Sequence, residues 1–82
     1  MYSIEFSLTA EKQFFKLDKE TQKRIVSTLE RTRTRPYSYV KRLVASAYYR
    51  LRVGDYRVIL DIRDNTLIIF VIEVGHRKSI YG

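Results

Sequence analysis

The chain has 82 residues, 45% hydrophobic and 30% charged, the balance of one folded domain over residues 1–82 and not of a disordered segment. It contains no cysteine, which excludes disulfides, iron–sulfur clusters, thiolate zinc sites and cysteine nucleophiles. Its formal net charge of +7 points to polyanionic partners.

The elements read as follows in chain order. The start, Met1 to Phe6, lacks the basic region and apolar stretch of a signal peptide, and no run approaches the roughly 20 apolar residues of a membrane span. A cytoplasmic location without membrane association is therefore expected. Tyr2, Ile4 and Phe6 alternate with Ser3, Glu5 and Ser7, the period of a half-buried strand. Thr9 can cap a short helix over about 10–17, and Asp18 a longer one over about 19–33. The apolar stripe of the second is Ile25, Val26 and Leu29, and Pro36 ends it. Residues 36–47 read as a loop. Strands follow at about 48–53, 56–62 and 66–74, joined by turns at Gly54-Asp55 and Asp64-Asn65. The order β-α-α-β-β-β predicts an α+β fold, with an N-terminal helical hairpin packed on one face of a mostly antiparallel four-stranded sheet.

The charge is unevenly placed. Residues 1–30 carry five basic and five acidic groups, and residues 58–82 three of each, so both ends are neutral. Residues 31–57 carry eight basic groups against Asp55 alone, and five of the seven tyrosines lie there as well. Cations interleaved with aromatics suit phosphate neutralisation and base stacking. The alternative is a solvated basic face that only aids solubility.

A two-residue turn at Gly54-Asp55 fixes the register of its hairpin. Val53 then pairs with Tyr56, Arg52 with Arg57, Leu51 with Val58, and Arg50 with Ile59. Arg50, Arg52 and Arg57 emerge on one face, and Leu51, Val53, Val58 and Leu60 on the other, toward the helices. Directly opposed cations repel by a few tenths of a kcal/mol, a cost that an anion site would explain. Otherwise the arginines splay into water or pair with Glu73 or Asp55. Asp61 shares the face but stands too far along to neutralise the pair, and no glutamate falls beside it in this register.

Lys41-Arg42-Leu43, then Tyr48-Tyr49-Arg50-Leu51-Arg52-Val53-Gly54-Asp55-Tyr56-Arg57, then Val74-Gly75-His76-Arg77-Lys78-Ser79-Ile80-Tyr81 resembles the RelE/ParE toxin superfamily along nearly the whole chain. The resemblance implies a ribosome-dependent endoribonuclease that cuts messenger RNA without a metal or other cofactor, restrained by a RelB-like antitoxin in a hetero-oligomer. It implies catalytic roles for Arg50, Arg52, Arg57, Arg77 and Tyr81, and substrate-binding roles for Lys41, Arg42, His76 and Lys78. Relatives carry lysines at the positions of Arg50 and Arg52, and a glycine near Ala45. Arginine does not give up its proton, so Tyr81 or His76 is left as general base. Ile59, Ile68 and Phe70 are the expected seat of an antitoxin helix. Two other functions fit the same residues: a ParE-like gyrase inhibitor that cleaves nothing, and a non-enzymatic RNA- or ribosome-binding module.

Overall fold

Alternation drives Ser3–Phe6 into a strand (β1), and the chain then turns straight into a helix (α1, Leu8–Phe15). Its cap is Ser7 and not the expected Thr9, since the Ser7 hydroxyl accepts the Ala10 N–H at 3.0 Å. Asp18 caps the second helix (α2, Lys19–Thr32) as predicted, taking the Thr21 N–H at 3.3 Å. Ile25 and Leu29 of the expected stripe are buried, but Val26 is 46% exposed, because the sheet covers a narrower arc of the helix than the stripe spans. The computed structural model describes residues 1–80, with side chains through Lys78.

Pro36 begins a 3₁₀ turn, Pro36–Ser38, and leads into a strand where a loop was expected (β2, Val40–Arg42). The sheet therefore has five strands and not four. β3 (Tyr49–Val53), β4 (Tyr56–Arg63) and β5 (Ile68–His76) follow, then a single helical turn (α3, Arg77–Ile80). The order across the sheet is β1-β5-β4-β3-β2. β1 runs parallel to β5, and every other pair is antiparallel. β1 and β2 are thus opposite edges, and the helical hairpin carries the chain between them across one face.

That face holds the core. Ala10, Ile25 and Leu29 from the helices meet Leu51, Val53, Val58, Leu60, Ile69, Val71 and Val74 from the sheet. The spacing on β5 is irregular, since Val71 and Val74 are three apart yet both face inward. A bulge accounts for it: Ile59 faces Glu73 while Leu60 faces Val71, so Ile72 is the extra residue. The polar groups on either side of Glu73 are taken up by the chain that follows β1. Ser7 Oγ donates to the Ile72 carbonyl at 2.9 Å, and Gln13 Oε1 accepts the Val74 N–H at 2.7 Å.

Candidate nucleic-acid interface

The hairpin register is the one its turn length requires: Val53 opposite Tyr56, Arg52 opposite Arg57, Leu51 opposite Val58, Arg50 opposite Ile59. Gly54 makes the turn possible with φ +59°, a conformation that costs glycine nothing. β2 adds Lys41 opposite Arg50, and β5 adds Glu73 opposite Ile59 and Gly75 opposite Arg57. Paired residues project on the same side, so two neighbouring rows cross the face away from the helices. One runs Lys41, Arg50, Ile59, Glu73; the other runs Arg52, Arg57, Gly75. With strands ~4.8 Å apart and same-face residues ~7 Å apart along a strand, four cations start from a patch roughly 10 Å wide.

The cations differ in setting. Arg50 and Arg57 are half-buried, and Nε and Nη1 of Arg57 are shielded from water. Arg52 is exposed and leans toward the sheet's end, its Nε 3.4 Å from the Gly54 carbonyl oxygen. Gly75 contributes no side chain beside Arg57. Asp61 stays off the cluster because its carboxylate accepts from Arg63 Nε at 2.9 Å. Arg77 donates its backbone N–H to the Asp55 carbonyl at 2.9 Å, which holds the start of α3 at the β3–β4 turn, at the same end of the sheet as Arg52 and Arg57. Lys78 follows it, exposed.

Two residues from the sequence motif stand on the other side. Arg42 faces Tyr49 across the strands and gives its Nε–H to the Ser46 carbonyl at 3.1 Å, inside its own hairpin. His76 faces Tyr56, with the rings edge to face at 5.5 Å, and its Nδ1 accepts the Lys78 N–H at 3.3 Å. Tyr81 lies outside the described residues.

Sequence reasoning named Glu73 only as a possible ion-pair partner of the arginines and did not place it on their face. The bulge turns it onto the arginine face, where an unbroken strand register would not. Its signal was the three-residue step between Val71 and Val74, which a period of two does not allow. Of the residues expected to seat an antitoxin helix, two are covered. Ile59 is only 5% exposed and Phe70 lies under the Arg63 guanidinium, whereas Phe15 and Val26 on the helical hairpin are 68% and 46% exposed.

No curated protein matches the chain. Solved structures of the same fold include the RelBE2 toxin–antitoxin complex of Mycobacterium tuberculosis, with TM-score 0.83, 24% identity, and 93% of this chain and 98% of that chain covered. The intact RelBE complex of E. coli gives TM-score 0.79 and 25% identity over 93% and 96% of the two chains. A RelB–RelE complex from Methanococcus jannaschii gives 0.74 and 29% over 94% of each. The sequence model of the ParE toxin of the type II toxin–antitoxin system, parDE, matches residues 4–81. With that match spanning nearly its whole length and the RelE fold beneath it, the chain belongs to the RelE/ParE superfamily and is a toxin of a type II toxin–antitoxin system.

Proposed function

We propose that this toxin is a ribosome-dependent endoribonuclease that cuts messenger RNA without a metal. The observation that carries the reading is the pairing of Arg52 with Arg57, next to Arg50 and Lys41 on one sheet face. Four cations gathered on one face suit the oxygens of a bound phosphate. RNA brings its own nucleophile: the 2′-oxygen attacks the adjacent phosphorus, the bond to the 5′-oxygen breaks, and a 2′,3′-cyclic phosphate and a 5′-hydroxyl remain. The protein has to align three atoms, neutralise the phosphorane oxygens and move two protons. Arg57 and Arg77 contact the scissile phosphate, Arg50 and Arg52 neutralise the charge that develops, and Lys41 and Lys78 hold the flanking backbone. Tyr81 positions the 2′-hydroxyl. His76 stands with Tyr56 on the opposite side and the arginines keep their protons, so Glu73, on the arginine face, joins Tyr81 as a candidate general base.

The partner is an antitoxin of the RelB kind, as in the E. coli and M. jannaschii complexes. An acidic, partly disordered antitoxin that wraps the sheet and the helical hairpin would mask the arginines with one segment and lay an apolar helix face on Phe15 and Val26 with another. The description of the family as ParE toxins favours a second reading, a gyrase inhibitor that cuts no RNA.

Cleavage of ribosome-bound message by the wild type separates the two readings, and Glu73→Gln tests the base. Single-turnover cleavage of ribosome-bound message is expected to fall by about 10²- to 10⁴-fold in Glu73→Gln while binding persists. Unchanged cleavage in Glu73→Gln would remove the base, and absence of cleavage in the wild type would favour the gyrase reading.

A further inference from the structure

On the helical side of β3, an open groove of about 520 Å³ runs between that strand and α2. Four cations line it, Lys23, Arg24, Arg31 and Arg52, together with the Tyr39 ring. No carboxylate lines it, and among the described residues none of the four cations is in an ion pair. Sequence position explains the alignment. Lys23, Ser27 and Arg31 are four apart, so they form one row along α2 that rises about 12 Å from first to last. β2 begins at Val40, opposite Leu51, so from Arg52 onward that edge of β3 is uncovered and Arg52 lines the groove as well as the arginine face. Arg24 closes the end of the groove, its guanidinium packed against Gly54.

We propose that this groove is a second binding site for the sugar–phosphate backbone of single-stranded RNA, continuous with the arginine face through Arg52. It rests on RNA being the toxin's ligand, not on the toxin cutting it. The lining chooses between kinds of partner. An amphipathic protein helix needs apolar anchors, but Leu51 and Val53 at the floor are 1% and 7% exposed, already spent on the core. Cations and the hydroxyls of Ser27, Thr28 and Tyr39 instead suit phosphate and ribose oxygens, and the Tyr39 ring, 48% exposed, is open to a base. The site is therefore indifferent to sequence, and strongly sensitive to salt.

The test is Lys23→Ala/Arg31→Ala in the full chain, at exposed helical positions where alanine sustains the helix. Fluorescence anisotropy with a uridine oligonucleotide long enough to reach both faces is read from low to high salt. Loss of two phosphate contacts is expected to reduce the slope of log K against log salt by about 1.4. Arg50→Ala is expected to reduce it by about 0.7 more, independently. An unchanged slope in the double variant overturns the groove. So does weaker binding of polyglutamate with RNA binding intact, which would make it a protein site. If wild type binds the oligonucleotide but cuts no ribosome-bound message, the nuclease reading fails while the groove stands.

Discussion

Ala45 sits at the tip of the β2–β3 hairpin with φ +54°, in the left-handed region where a Cβ crowds the following carbonyl. The backbone there has the shape that glycine suits. Ala45→Gly is expected to raise stability by about 0.5–1 kcal/mol, the steric relief less the entropy of a freer unfolded chain. The midpoint of urea unfolding should move up with an unchanged slope; a fall would mean that Ala45 holds the hairpin by contacts. Leu67, at φ +55°, is the same case in the β4–β5 turn, where the expected pair Asp64-Asn65 is a four-residue turn ending on Leu67. At this scale the sequence was readable wherever chemistry is local, as at Asp18 and Gly54. It misled where two residues competed for one role, as Ser7 and Thr9 did for the cap.

β5 is the element on which the site depends. A straight strand would keep Glu73 off the arginine face, and the bulge at Ile72 puts it there. α1 stabilises that shape from the far side through Gln13, whose Oε1 accepts the Val74 N–H. Gln13→Ala leaves that donor without a protein partner and should cost about 1–3 kcal/mol. Faster hydrogen exchange at the Val74 amide is the direct readout, and unchanged exchange would mean that another acceptor takes over. The hairpin register was legible because a two-residue turn admits only one pairing. The bulge was not, since its stabilising partners are about 60 residues away in sequence. β2 was missed for another reason: three residues at an edge are too few for alternation to show.

Over the whole molecule, one carboxylate joins three distant segments. Asp64 accepts from the Tyr2 and Tyr37 hydroxyls, each at 2.7 Å, tying the start of the chain and the 3₁₀ turn to the β4–β5 turn. Those bonds, Tyr2's first and Tyr37's second, hold the Asp64 carboxyl below its usual range. Partial desolvation, and then the bond to Asp64, push the Tyr37 phenol up. For a depressed carboxyl, the stabilisation is complete above the ordinary aspartate pKa and is lost as pH falls through the lower folded value. Wild type should therefore lose an increment of stability below about pH 4 that Asp64→Asn does not lose. Parallel acid unfolding curves for the two would remove the tie. No helix among the described residues is long and apolar enough to cross a membrane.

The arginine face is tested most directly by toe-printing a ribosome-bound message with wild type and with Arg57→Ala. New ends inside the decoding codon, bearing a 5′-hydroxyl on the downstream fragment and abolished in the variant, are the predicted result. An intact message in both reactions, with gyrase-linked DNA breaks from the wild type, would contradict it.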